Sequence, residues 1–320
     1  MPLDPHVQRL IRMLAVGGGD TAGNDIAKRR NAYALLMELV RPKALAPCAK
    51  QDVVIPGPDR GVALRIYTPS SIGPGKSPAM IYLHGGGWVA GSLDTHDSLC
   101  HSLAVASGCR MISVDYRLAP EHKHPAALLD AENATRWVLA HASTYDIDTS
   151  RLAISGDSAG ANLAAALCQA FQQKGQAPFA LQLLLCPFLD LMAETDSRRA
   201  FGQGYFMDLG AMARDLELCI AEETAWTDPS LSPLRAGDLA GLPPAHIHTA
   251  EFDPMRDEGL DYARRLGEAG VSTRHVCHPG MIHQFYAMGG VIPYASTAID
   301  AIGAGVGAAL GTAIPDHSST

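Results

Sequence analysis

The 320-residue chain has no excess of positive charge: 25 Lys and Arg face 33 Asp and Glu, a formal net charge of −8. Phosphate backbones and anionic membranes select a basic face, so no nucleic-acid partner is expected, and an uncharged or cationic ligand is the easier one. Paired cysteines are also lacking. The seven, Cys48, Cys100, Cys109, Cys168, Cys186, Cys219 and Cys277, are scattered singly without a C-x-x-C. That spacing, with several of them inside apolar runs, predicts buried free thiols in a reducing compartment and excludes a disulfide framework or a zinc cage. The opening "MPLDPHVQRLIRMLAV" holds no uninterrupted apolar core behind a basic region, so no secretory signal is expected and the cytoplasm is the default location. Residues 297–314 imitate a membrane anchor, with Gly303, Gly307 and Gly311 at small-x-x-x-small spacing. There Ile299, Ile302, Val306 and Leu310 form one helical stripe diluted by Asp300 and many alanines and glycines, which predicts a packed terminal helix and no membrane span.

What the chain does have is a regular change of period. Residues 1–45 read as helices, with Tyr33, Leu36, Met37 and Val40 on one face and Pro42 as a stop. Eight short β-type runs follow, at 52–56, 62–68, 79–83, 110–116, 151–155, 181–186, 245–250 and 271–277, and helical segments at about 95–107, 125–142, 159–174 and 256–269 separate most of the later ones. Strands alternating with helices specify an α/β architecture, a mostly parallel sheet covered on both faces. The alternation breaks between Cys186 and Ala245, where Asp208 opens a helix with Leu209, Met212, Leu216 and Ile220 on one face. This insertion and the N-terminal helices are a candidate lid over one end of the sheet. The boundaries expected are a cap segment at 1–45, a core at 46–187, a cap insertion at 188–228 and the rest of the core at 229–320.

Between a strand and an alanine-rich helix stands Gly156-x-Ser158-x-Gly160. In a turn this tight the serine adopts a strained backbone, side chains two residues away would collide, and the hydroxyl is thrust into the open above the sheet. A serine hydroxyl is a poor nucleophile, so the reading requires a histidine base, an orienting carboxylate and oxyanion donors, the acid and base following the serine in that order. Asp253 follows a strand in "EFDPMRD"; its competing role is the N-cap of the next helix. His283 in "PGMIHQFY" lies just past the last strand and is preferred among 13 histidines over His275, within the strand, and His278, directly after it. "HGGGW", His84-Gly85-Gly86-Gly87-Trp88, offers unhindered backbone N–H groups, joined by that of Ala159 at a helix start. No phosphate-loop spacing, G-x-x-x-x-G-K-[ST] or G-x-G-x-x-G, occurs in that segment.

The segments "HGGGW", "DYRLAPEHKHPAALLDA", "GDSAGANLA", "SPLRAGDLAGLPPAHIHTAEFDPMRDEG" and "GMIHQFYAMGG" resemble the bacterial hormone-sensitive-lipase-like (family IV) carboxylesterases of the α/β-hydrolase superfamily, in the branch whose nucleophile motif reads GDSAG. The resemblance runs from about residue 50 to 290. It implies the α/β-hydrolase fold with a helical cap, a catalytic triad of Ser158, Asp253 and His283, and oxyanion donors Gly86, Gly87 and Ala159, with His84, Gly85, Gly156, Asp157 and Gly160 as supporting motif residues. It also implies no cofactor and no metal, a small-molecule ester substrate, and homodimers formed through the last strand. Gln284 departs from the glycine usual after the histidine.

Trp88, Phe201, Tyr205, Phe206, Met207 and Met212 are candidate walls of an apolar pocket for short to medium acyl chains, and most of them suit a cap core equally well. Asp157 is expected to bond within its own turn, and Tyr116 and Arg117 to hold a loop. His122-x-His124 and His246-x-His248 lack the carboxylate cluster a metal would need. The expected activity is ester hydrolysis through an acyl-enzyme. Amidase, formamidase or lactonase action through the same triad is the alternative, and a non-catalytic binder, resembling the plant hormone receptors that lack the histidine, is a third.

Overall fold

Alternation within single strands decides how this chain layers. In the run Ala79–Leu83, Ala79, Ile81 and Leu83 belong to one buried apolar cluster while Met80 and Tyr82 belong to another on the opposite face, the period-2 consequence of a strand covered on both sides. The computed structural model describes residues 2–16, 25–43, 45–58, 61–221 and 224–312. Its strands are β1 (Cys48–Ile55), β2 (Val62–Pro69), β3 (Ser77–Leu83), β4 (Arg110–Asp115), β5 (Ile147–Asp157), β6 (Leu181–Leu185), β7 (Ala245–Phe252) and β8 (Thr273–Ile282). They form one sheet in the order β1-β2-β4-β3-β5-β6-β7-β8, antiparallel where β2 meets β1 and β4 and parallel from β4 to β8.

The helices are α1 (Pro5–Val16), α2 (Ile26–Val40), α3 (Asp97–Ser107), α4 (Ala126–Ala140), α5 (Ala159–Gln173), α6 (Asp196–Phe201), α7 (Leu209–Cys219), α8 (Arg256–Glu268) and α9 (Pro293–Leu310). Side chains of α4, α5 and α8 fill one cluster and those of α3 and α9 the other. In α5 the alanines from Ala159 to Ala166 are all buried, because small side chains let this helix lie close against the sheet. The terminal helix α9 packs on α3, with Ile299, Ile302, Val306 and Leu310 buried. Its Gly303 is needed for that approach, since a Cβ there would run into the backbone of Ala106. No helix among the described residues is long and apolar enough to cross a membrane. Five of the seven cysteines are buried as expected, but Cys277 is exposed and Cys48 half-buried, because both lie on strands at the two edges of the sheet.

Each of the eight anticipated strands is present. β8 differs most, running on to Ile282 and taking in His278, because its pairing with β7 resumes beyond an irregularity between Ala250 and Phe252. In the stretch between β6 and β7, Asp208 opens α7 as expected, its carboxylate accepting the Ala211 N–H at 2.8 Å. The short α6 is an addition to the sequence reading, capped by Thr195, whose hydroxyl accepts the Arg198 N–H. α2, capped by Asp25 and ending before Pro42, lies over the same end of the sheet as α7 and shares a cavity with it.

Candidate active site

Ser158 ends the turn between β5 and α5 with φ 53° and ψ −118°, a conformation that L-residues avoid and that persists only where surrounding structure enforces it. The enforcement is visible at its flanks. A Cβ on Gly156 would stand 2.6 Å from the Leu83 carbonyl oxygen, and one on Gly160 would collide with that oxygen and with the His84 carbonyl. Helix, strand and loop therefore meet with no space for a methyl group. The Ser158 N–H bonds to Leu185 O at 2.9 Å, and its carbonyl accepts the Asn162 N–H, closing the first turn of α5.

Two loops from later strands bring the partners. His283 Nε2 is 2.9 Å from Ser158 Oγ, and His283 Nδ1 is 2.9 Å from Asp253 Oδ2. All three side chains are buried. Burial opposes the charged imidazole, but the adjacent Asp253 carboxylate outweighs it and raises the His283 pKa above its ordinary value. Asp253 is not the N-cap of α8, a position taken by Met255 without a side-chain cap bond; its Oδ1 instead accepts the Met255 N–H at 2.8 Å in the turn ahead of that helix. The two oxygens divide the work, so the bond within the turn fixes the carboxylate that faces the histidine. The rejected histidines have other partners, His275 with Thr249 and His278 with His248 and Tyr294.

Gly86 and Gly87 adopt φ 121° and 62°, and together with Ala159, Ser158 and His283 they line one cavity of about 540 Å³. The loop carrying them is held from behind. Tyr116 donates its hydroxyl to the His84 carbonyl at 2.5 Å and stacks on the His84 ring at 4.2 Å, while Arg117 is held by Asp130. Burial pushes the His84 pKa down to about 3, leaving a neutral ring. Asp157 reaches well beyond its own turn, contrary to the local bond expected. It accepts the Gly85 N–H at 2.8 Å, the Tyr82 hydroxyl at 2.7 Å and the Gln284 amide at 2.7 Å, with His96 Nε2 at 3.3 Å outside hydrogen-bond geometry. Burial disfavours its charge, yet His96, Tyr82 and Gln284 together hold its pKa well below the usual carboxylate range. One buried carboxylate thus links the glycine loop, the Ser158 turn and the histidine loop.

The cavity wall contains four of the six anticipated pocket residues, Trp88, Phe206, Met207 and Met212. Phe201 and Tyr205 are corrections: they pack on each other and on Phe252, with ring centroids 5.2–5.7 Å apart, and Arg256 covers Phe201. The end of α6 and the turn at Gly204 (φ 83°) carry both rings to the rim of the sheet, where Phe252 supplies the larger apolar partner. Sequence reasoning missed Arg29, Phe188, Ala211, Asp215 and Leu216 as wall residues, and Tyr33 and Leu36 as more than helix core. The signal was helical spacing: Arg29, Tyr33 and Leu36 share one face of α2, and Asp208, Ala211, Met212 and Asp215 one face of α7.

Among the described residues one group with metal-ligand atoms lies together, Cys186, Asp253 and His283, within 4.8 Å of one another. Two of these already bond to each other in the line from Ser158, so an ion would have to break that line.

Such a sheet, with a strained serine on the turn after its fifth strand, an aspartate from beyond the seventh and a histidine from beyond the eighth, defines a hydrolase framework. A family model described as the alpha/beta hydrolase fold matches residues 80–287. The chain belongs to this family, in its hormone-sensitive-lipase-like branch. It is 39% identical over 285 residues to the carboxylic ester hydrolase LipN of Mycobacterium tuberculosis, covering 85% of this chain and 73% of that one. It is 34% identical over 302 residues to an ethyl acetate hydrolase of Pseudomonas putida, covering 91% and 94%. The structure of an ester hydrolase from the metagenome of Lake Arreo, complexed with a bipyridine phosphonate derivative, superposes with a TM-score of 0.92 at 40% identity, covering 97% of this chain and 100% of that one.

Proposed function

We propose that the chain is a serine carboxylesterase acting on short- to medium-chain esters through an acyl-enzyme. The observation that carries this reading is the unbroken line Ser158 Oγ–His283 Nε2 and His283 Nδ1–Asp253 Oδ2, each link 2.9 Å, opening into an apolar cavity. His283 takes the Ser158 proton as the oxygen attacks the ester carbonyl, and Asp253 stabilises the imidazolium. Backbone N–H groups of Gly86, Gly87 and Ala159 receive the oxyanion, the last of them with the favourable end of the α5 dipole behind it. The imidazolium then protonates the departing alcohol, and water repeats the sequence to release the acid.

In this reading residues 1–45 and 188–228 form the cap and the remainder the hydrolase core. The cavity volume and its Met and Phe walls suit aliphatic acyl groups of modest length. β8 is an edge strand, and a second copy pairing along it is the proposed dimer. The test is a turnover panel of aryl esters of graded acyl length on the wild type and Ser158→Ala. The variant is expected to lose about 10³-fold or more in kcat. Near-full turnover without the hydroxyl would overturn the proposal.

A further inference from the structure

The cavity wall is apolar along Leu14, Leu36, Phe188, Met212 and Leu216, yet it contains one ion pair that the reaction does not use. Arg29 of α2 donates from Nη2 to Asp215 Oδ2 of α7 at 2.5 Å, with side chains 24% and 5% exposed. The pair is placed against the glycine loop. A Cβ on Gly87 would be 2.8 Å from Asp215 Oδ2, so this carboxylate lies on the backbone of a proposed oxyanion donor. One helical turn on, Cys219 donates its thiol to the Gly87 carbonyl at 3.4 Å. α7 therefore braces the loop, and in doing so brings a negative charge beside the point where the tetrahedral intermediate gathers its own.

A like charge beside the oxyanion, in a site of low effective dielectric, repels it and slows the step by about tenfold or more. We propose that Arg29 is a positioning residue that cancels this repulsion, holding Asp215 as a neutral pair so that the brace does not oppose the oxyanion. The N-terminal cap thereby takes part in the electrostatics of the reaction. Its neighbour Arg30 supports the geometry, bonding to the carbonyls of Val89 at 2.7 Å and Ala119 at 2.9 Å and fixing α2 against the end of the same loop. The inference rests on Gly86, Gly87 and Ala159 being the oxyanion donors.

The experiment compares Arg29→Met, Arg29→Lys, Asp215→Asn and the double variant Arg29→Met/Asp215→Asn. It uses the full chain, one activated aryl ester, and the inhibition constant of an alkylboronic acid, which becomes a negatively charged tetrahedral adduct on the serine. Arg29→Met is expected to lower kcat about tenfold or more with little change in KM, and to weaken boronate inhibition in parallel. Arg29→Lys, which keeps the charge, is expected to retain most of both. The double variant is expected to turn over faster than Arg29→Met, because the carboxylate's negative charge is removed with the guanidinium. A role as a mere staple between cap segments predicts the reverse: Asp215→Asn alone would be as slow as Arg29→Met, the double variant no better, and boronate affinity unmoved. Either a double variant no faster than Arg29→Met or an unchanged boronate constant overturns the proposal. Thermal unfolding of each variant separates loss of the cap from loss of rate. Ser158→Ala in the same assay reports on the underlying esterase reading, so the two failures are distinguishable.

Discussion

Replacing Asp253 by asparagine tests how the buried acid works, because the structure fixes what the amide must do. The carboxylate faces two donors, the Met255 N–H at 2.8 Å and, in the tautomer a base requires, the His283 Nδ1–H at 2.9 Å. An amide supplies one oxygen. Turning its oxygen to His283 points the NH2 at the backbone donor and leaves a buried N–H without an acceptor, at a cost of about 1–3 kcal/mol. Turning the oxygen to Met255 keeps the turn bond and presents the NH2 to His283, which then shifts its proton to Nε2. The second arrangement is the cheaper one, and it removes the lone pair that must accept the Ser158 proton. Loss of a triad histidine's working tautomer is worth about 10⁴-fold in kcat, or about 5 kcal/mol in barrier. Initial rates on a short aryl ester give kcat, and circular dichroism with thermal unfolding confirms an intact fold. An Asp253→Asn enzyme within tenfold of wild-type kcat, still folded, would refute the assigned role of the acid.

The raised His283 pKa carries a sign: protonation abolishes the base, so kcat/KM should decline as pH falls through a value above the ordinary 6.5. An acid limb centred below 6.5 would contradict the Asp253 effect. Gly160→Ala drives a methyl into the Leu83 and His84 carbonyls and should destabilise the fold by at least about 3 kcal/mol in denaturant unfolding; a shift under 1 kcal/mol would show that the elbow has room after all. Met212→Ala enlarges the cavity and should move the preferred acyl chain upward by one to a few carbons, about one methylene per 0.8 kcal/mol of regained contact. Phe201→Leu, changed in the ring cluster away from the cavity, should leave that preference in place, and a shift in its chain profile would return this residue to the pocket.

The local arguments were legible because they concern a few consecutive residues. Strand and helix periods, the glycine spacing around Ser158 and the capping role of Asp208 each follow from short-range sterics, and each has the expected structure. Position beyond a strand end also selected Asp253 and His283, since a parallel sheet places all such loops at one end. Where the outcome depends on which distant surface a side chain meets, the residues alone leave two answers open. Tyr205 and Phe206 are adjacent and both aromatic, yet Phe206, at φ 75°, faces the cavity while Tyr205 stacks on Phe252, a choice made by a strand end 47 positions away.

Asp157 carries the point further. Its position in the GDSAG turn suggests a bond within that turn, but Tyr82, Gly85, His96 and Gln284, which surround its carboxylate, each come from another segment. A buried carboxylate needs several donors to remain charged, and six consecutive residues with two glycines and an alanine cannot supply them. The chain meets that requirement by gathering the glycine loop and the histidine loop around one side chain. Gln284 suits this arrangement where a glycine would not, because its amide donates to Asp157 at 2.7 Å and to the Tyr33 hydroxyl of α2 at 2.9 Å. A glycine at 284 would keep the left-handed backbone, φ 59°, and lose both bonds. Gln284→Gly should therefore leave KM for small esters near its wild-type value while lowering kcat by about tenfold, the cost of one charge-assisted bond of about 1.5 kcal/mol. Equal kcat in the two proteins would mean that Asp157 keeps the glycine loop in register without the cap helix.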